Sequence, residues 1–424
     1  MIKQLSKNFL MLSLSEGLSH FLGFVVNAYI ARILGVSGFG LINYSLAFLT
    51  YLLLFSNMGL TTLGTREVVK DKNNIKIIGD IISTRILLII ILYIIFLLFL
   101  LLLPGDTLTK KIILLYIITG LPNAFYLEFI FQAREEMEFI GLGRILQYAG
   151  YLILIFLFLK TKEQILAVPL SYLGGYLLAT LFLVLVYFKK YPRLVFSFKP
   201  VNFYNILGVS LPIGFATIVY QAVMNFSVIC LKMFHNETEV GLFSAGFKII
   251  IFLLIIERII NYLFFPIFSR QANQSQEMLK KSFIFFSQLV LGITILVAII
   301  GGIFAQNIIS LIYGTSFNQG AGTFRILILY FIIAPLNTIW GYGLIALNQE
   351  KKFFKVIVVT ALTNLILTII LGYIFRGVGV ALAIFISELC GLILMKQKLN
   401  SVINFSIFTM FNKKEIKLIF TGKN

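Results

Sequence analysis

The residues with chemistry to offer are few, and most stand inside apolar sequence. Glu16 and His20 lie four positions apart in the apolar run 9–34, so a helix brings them onto one face. Such a pair has two readings. It is a polar contact between helices, or it is a proton-sensitive site, because imidazole titrates near neutral pH and a nearby carboxylate tunes it. Lys248, Glu257 and Arg258 share the run 240–268. Their ten-residue spacing sets Lys248 and Arg258 about 80° apart around a helix axis, so both can border one cavity. Arginine presents a planar fork to an oxyanion and lysine a point charge, which suits the pair to a phosphate-like group. The alternative is that Glu257 pairs with a neighbouring helix while Lys248 reaches for an interface.

Glu388 stands at the centre of the run 377–398 without a basic neighbour on its own helix. It is read either as an ion-coupling group or as a carboxyl hydrogen-bonded to Ser387 or to an adjacent helix. Gln221 and Asn225, one turn apart in 204–232, can hold hydroxyl groups or bond between helices. Pro212 and Gly214 in the same run are expected to break that helix near one end, as a gate or for packing. Arg85, Glu128 and Arg144 fall near span ends and are expected at the membrane interface. Cys230 and Cys390 show no CxxC or Cys/His spacing and read as small packing residues. No catalytic residue, metal site or cofactor is expected.

The elements that position these groups follow from composition. With 59% hydrophobic and only 12% charged residues, 424 residues cannot hide their apolar surface in a water-soluble globule. A bilayer is the fitting solvent. Barrel strands would alternate polar and apolar residues, whereas "RILLIIILYIIFLLFLLLLP" (Arg85 to Pro104) is unbroken apolar sequence, so helices are expected. An all-α integral membrane protein of about twelve helices results. The spans are 9–34, 39–63, 81–104, 109–132, 142–160, 165–188, 204–232, 240–268, 282–305, 322–347, 353–375 and 377–398. The first is read as a retained helix rather than a cleaved signal peptide, since its apolar stretch is long and holds Glu16 and His20. Ionisable groups within such spans cost at least about 2.5–3.5 kcal/mol each, so they are expected to face a cavity or a partner.

Lysine and arginine set the orientation. With the N-terminus inside, inner segments carry 24 basic residues and outer segments 8, so both termini are expected in the cytoplasm. The formal charge of +18 is spread over every inner loop, which fits anionic lipid and not nucleic acid. The longest connections, at 64–80, 189–203 and 306–321, are too short to form a catalytic domain.

The segment "KKYPRLVFSFKPVNF" divides six spans from six. Two lobes are expected, 1–190 and 204–400, joined by a cytoplasmic linker at 191–203 and followed by a basic tail at 401–424. A weak repeat supports the division. "GFGLINYSLAFLTYLL" (38–53) aligns with "EVGLFSAGFKIIIFLL" (239–254) at an offset of 201, matching Gly40 to Gly241, Leu41 to Leu242, and Leu52 and Leu53 to Leu253 and Leu254. Both first helices start inside, so the repeat is parallel, about an axis along the membrane normal. The glycine-rich "ARILGVSGFG" (31–40) reads as a tight turn at the outer face of the first lobe.

The stretches "YIARILGVSGFGLINYSLAF", "NMGLTTLGTREVVK", "NETEVGLFSAGFKI", "LIYGTSFNQGAGTFRILIL" and "ALNQEKKF" resemble the Wzx-type oligosaccharidyl-lipid flippases of the multidrug/oligosaccharidyl-lipid/polysaccharide exporter superfamily. The resemblance implies movement of an undecaprenyl-pyrophosphate-linked oligosaccharide from the inner to the outer leaflet of the plasma membrane by alternating access, for O-antigen or another surface polysaccharide. It makes a polysaccharide polymerase and a chain-length regulator candidate partners. Under it, Lys248, Arg258, Gln221 and Asn225 become cargo contacts, and Glu16, His20, Glu257 and Glu388 become groups for coupling to H+ or Na+. A cation-coupled drug or metabolite exporter of the same superfamily is the first alternative, and a membrane polymerase or glycosyltransferase the second. The basic residues of span eight favour an anionic cargo over cationic drugs.

Overall fold

A computed structural model describes residues 2–71, 75–102, 105–191, 196, 200–256, 268, 271 and 276–403. Helices are α1 (Ile2–Asn57), α2 (Leu60–Lys70), α3 (Ile75–Leu102), α4 (Thr107–Ile118), α5 (Gly120–Ala124), α6 (Glu128–Ala133), α7 (Met137–Phe158) and α8 (Ala167–Lys190). They continue as α9 (Pro200–Phe234), α10 (Glu237–Leu253), α11 (Gln276–Ile303), α12 (Ala305–Tyr313), α13 (Ala321–Ala346) and α14 (Glu350–Asn400). No strand occurs among the described residues. Eight described stretches are long and apolar enough to cross a membrane, and two of them, Ser13–Lys70 and Glu350–Asn400, are each long enough for two crossings. The protein is a multi-pass, all-helical membrane protein.

Both double-length stretches contain the interruption that two crossings require. In α1 the backbone leaves helical geometry at Gly35 (φ 71°, ψ −175°), the left-handed region that glycine enters without a Cβ clash. The turn expected from "ARILGVSGFG" therefore hinges on this residue. In α14 the same service falls to Arg376 (φ 54°), between the two spans expected at 353–375 and 377–398. A further break, Met58 and Gly59 at positive φ, separates α1 from α2.

One span departs from expectation. The run 109–132 is three helices, α4, α5 and α6, with a non-helical step at Tyr126 and Leu127. Asp106 starts α4 by accepting a hydrogen bond from the Thr109 amide (3.1 Å), which satisfies a terminal donor. Pro122 inside the short α5 lacks an amide proton, which helps explain why a regular helix does not continue.

The chain forms two compact units, Met1–Gly241 and Leu242–Asn424. In the first, α9 packs on α1, α2 and α3. Its core gathers Leu60, Leu63, Ile78, Ile81, Phe129, Phe131 and Tyr187. In the second, Phe268, Phe283, Phe286, Trp340 and Met395 form the core, and the Trp340 indole donates to Ser287 Oγ at 3.0 Å. Outside these cores α3 leaves Ile90, Ile91, Ile94, Leu98 and Leu101 exposed. In a bilayer that apolar surface faces lipid.

Candidate functional site

Three polar regions interrupt the apolar packing. The first, in the first unit, is built around Arg144 on α7. Its guanidinium reaches Glu16 on α1 with one terminal nitrogen and Glu128 on α6 with the other. The fork geometry of arginine allows this double engagement, which a lysine point charge would not reproduce. Glu16 is 7% exposed. His20 sits one turn further along α1 and is half-buried.

Close by, Arg85 on α3 is 3% exposed. It donates to Thr61 Oγ1 (3.1 Å) and to the Tyr126 carbonyl (3.3 Å), and its guanidinium lies 5.5 Å from the centre of the Phe129 ring. Thr61 in turn donates its hydroxyl to Asn57 Oδ1 (2.8 Å), so Arg85 is tied to the break between α1 and α2. The Tyr126 carbonyl is free to accept because the chain is non-helical there. Arg85 is thus buried within the protein, and Arg144 with Glu128 belongs to a cross-helix ion network. A charge within an apolar run was the available signal. The partner, 128 residues away in sequence, was not.

The second region lies in the second unit and holds Glu388 on α14, 5% exposed. Asn337 Nδ2 on α13 donates to the Glu388 carboxylate (2.7 Å) and to its backbone carbonyl (3.0 Å). Asn364 donates to Ser387 Oγ at 3.0 Å. Of the alternatives weighed for Glu388, the adjacent helix supplies the bond. No cation pairs with it among the described residues. Lys248 on α10 is half-buried and, among the described residues, makes no ion pair or hydrogen bond. Glu257 and Arg258 lie outside the described residues.

The third region is a seam within the first unit. A Cβ on Gly40 would collide with the carbonyl of Glu237, and one on Gly241 with the carbonyl of Val36. The repeat offset of 201 maps Val36 to Glu237 and Gly40 to Gly241, so each contact is the image of the other, as in a two-fold interface. Further along the seam Tyr51 donates its hydroxyl to the Ala222 carbonyl at 2.6 Å. Gly59 and Gly214 then meet backbone to backbone. The break expected at Pro212 and Gly214 is absent, for α9 is helical through both. The missing Cβ of Gly214 serves close approach instead. Asn225 donates to the backbone carbonyl of Gln221 at 2.8 Å, and Gln221 itself is exposed.

Beside the seam Lys232 pairs with Glu237. Burial pushes the Glu237 carboxyl up, but the Lys232 hydrogen bond and charge outweigh it, and the net shift is below the usual carboxylate value.

Comparison with known proteins gives these regions a context. The chain is 24% identical, over 91% of its length and 94% of the relative's, to a protein of Escherichia coli (strain K12) named "Putative O-antigen transporter". Its fold resembles that of the lipid II flippase MurJ in an inward closed conformation, with a TM-score of 0.77 and 17% identity, covering 97% of this chain and 90% of that one. It also resembles an inward-facing multidrug resistance MATE family transporter of the MOP superfamily, with a TM-score of 0.72 and 13% identity over 90% of this chain and 95% of that one. The family model described as "Polysaccharide biosynthesis protein" matches residues 5–272. With helical crossings, buried charge and more than half its length matched, the chain belongs to the polysaccharide biosynthesis protein family.

Proposed function

We propose that the protein is a flippase that moves a polyprenyl-pyrophosphate-linked oligosaccharide across the plasma membrane, from inner to outer leaflet, by alternating access. The observation that carries the reading is charge held within apolar helices, buried at Arg85 and Glu388 and tied across helices at Arg144, in a chain of the polysaccharide biosynthesis family. Sugar and pyrophosphate cannot cross hydrocarbon bare, because each lost hydrogen bond and each desolvated charge costs several kcal/mol. A polar path between helices removes that cost while the prenyl tail stays in lipid.

In this proposal both termini are cytoplasmic, as the basic-residue count favours, and two lobes, 1–190 and 204–400, rock about the linker at 191–203. Lys248 and Arg258 meet the pyrophosphate or a sugar acid, and Gln221 and Asn225 meet hydroxyl groups. Glu16, His20, Glu257 and Glu388 couple the cycle to H+ or Na+. The units are delivered to a polymerase and a chain-length regulator.

The test is deletion of the gene followed by analysis of lipid-linked intermediates. Surface polymer is lost while the complete lipid-linked unit accumulates in the inner leaflet. Loss of polymer with single units still exported overturns the reading and points to a polymerase. In the same strain Arg258→Ala fails to complement and Arg258→Lys complements partly. Recovery by adding Glu257→Ala to Arg258→Ala reduces Arg258 to a structural ion partner.

A further inference from the structure

The motif "LIYGTSFNQGAGTF" (311–324) has no role in the pathway above, yet with the residues just before it this stretch lines a cleft in the second unit. Gln306, Asn307, Ser310, Leu311 and Asn318 line a cavity of about 640 Å3, a size usual for small-molecule sites. Among the described residues the lining holds amides, a hydroxyl and one leucine, and no charged side chain.

The helix that forms one wall, α12, has three faces. Ala305, Ile309 and Tyr313 are buried in the unit, and Leu311 is 76% exposed beside Phe304. Gln306, Asn307 and Ser310 stand on the remaining face, at spacings of one and three residues, and open to the cleft. A short helix with one face in protein, one apolar and exposed and one polar suits the boundary between bilayer and water. The basic-residue count favours the outer side for that boundary.

Asn318 closes the cleft from the loop that follows. Gly314 (φ 100°) ends α12, and the fully buried Phe317 anchors the next turn. The loop is thereby held in place, and Asn318 Oδ1 is buried without a hydrogen-bond partner among the described residues. An unmet acceptor is costly; the Asn318 side chain is only half-buried, so a small turn toward the cleft lets a donor of a bound molecule meet it.

We propose that this cleft binds uncharged, hydroxyl-rich sugar residues of an oligosaccharide at the outer face of the membrane. Amide groups offer donors and acceptors together, as sugar hydroxyls do. With no cation among the described residues of its lining, the cleft offers a phosphate no counter-charge, which favours neutral sugar over an anion or a phospholipid headgroup. The sugar reading rests on the proposed flippase function, and the cleft would hold the glycan after it has crossed.

The experiment uses the full-length protein carrying Ser310→Cys, labelled with a membrane-impermeant maleimide, first on intact cells and then in lipid nanodiscs. Maltotriose and N,N′-diacetylchitobiose are the neutral probes, inorganic pyrophosphate is the anionic one, and the exposed Thr315→Cys is the control position. The expected result is labelling from outside, slowed at least about threefold by millimolar neutral oligosaccharide. Pyrophosphate leaves the rate unchanged, and Thr315→Cys labels equally with and without sugar. Adding Asn318→Leu to Ser310→Cys removes the protection while the labelling rate without sugar persists. Labelling only from the cytoplasmic side, no protection by either sugar, or equal protection by pyrophosphate overturns the proposal. If protection is found in a protein whose deletion leaves unit export intact, the sugar site stands and the flippase reading falls. Lack of protection in a protein that the deletion test supports removes the cleft alone.

Discussion

The two units bury carboxylates in opposite ways. In the first, Glu16 and Glu128 are met by the guanidinium of Arg144, so charge answers charge across three helices. In the second, Glu388 is met by the neutral amide of Asn337. A network of the first kind locks helices together, because removing one member strands the others in a medium that solvates charge poorly. A site of the second kind can gain or lose a proton, or accept a cation, without stranding an opposite charge. The first unit thus resembles a clamp, and the second holds its carboxylate against a neutral amide.

The sharpest way to break this comparison is Arg144→Ala. It leaves two carboxylates without their shared cation and is expected to destabilise the protein by about 3–5 kcal/mol. The effect appears as a lowered melting temperature in detergent and reduced membrane abundance. Arg144→Lys recovers part of the loss because it restores charge but not the fork. A melting temperature unchanged by Arg144→Ala would dissolve the clamp.

An intermediate effect is expected at Asn337→Leu, which removes the one side-chain bond to Glu388 seen among the described residues and costs about 1–3 kcal/mol. Glu388→Gln, by contrast, keeps a polar group beside Asn337 and changes the melting temperature little. Under the proposed coupling role its effect belongs to transport, and any pH or Na+ dependence of complementation is lost while protein level holds. If Glu388→Gln destabilises as strongly as Arg144→Ala, the two units do not differ in kind.

The smallest effect is expected where an ion pair meets water. Lys232 and Glu237 are each about a quarter exposed, and such pairs contribute little. The Glu237 carboxyl lies below its usual value, so the unfolded chain takes up its proton first as pH falls. The stabilisation is complete at neutral pH, above the unfolded value, and is lost as pH drops through the folded one. The melting-temperature difference between the protein and its Glu237→Gln variant should therefore be constant from neutral pH down to about pH 5 and vanish below it. A difference that grows on acidification would contradict this assignment.

Much of the architecture was written locally. Unbroken apolar runs define helices because no other arrangement near lipid satisfies their backbone groups, and Gly35 marks the first reversal because only glycine enters that conformation freely. The fourth span shows where this logic stops. Its hydropathy continues through Tyr126 and Leu127 although its helix does not, since hydropathy reports burial and not backbone geometry.

The sequence alone determined that the chain crosses a membrane many times, that a turn lies at 31–40, and that 38–53 has a relative 201 residues later. Each is a property of neighbouring residues or of one stretch compared with another. Only the tertiary structure decided which polar groups meet. Glu16 found Arg144 across 128 positions, and Glu388 found Asn337 across 51. The two repeat-related glycines proved to touch, through contacts that an alignment could pair but not bring together. Pairing across helices depends on how rigid rods pack and rotate, and helical periodicity fixes the face of each rod without naming the rod that faces it.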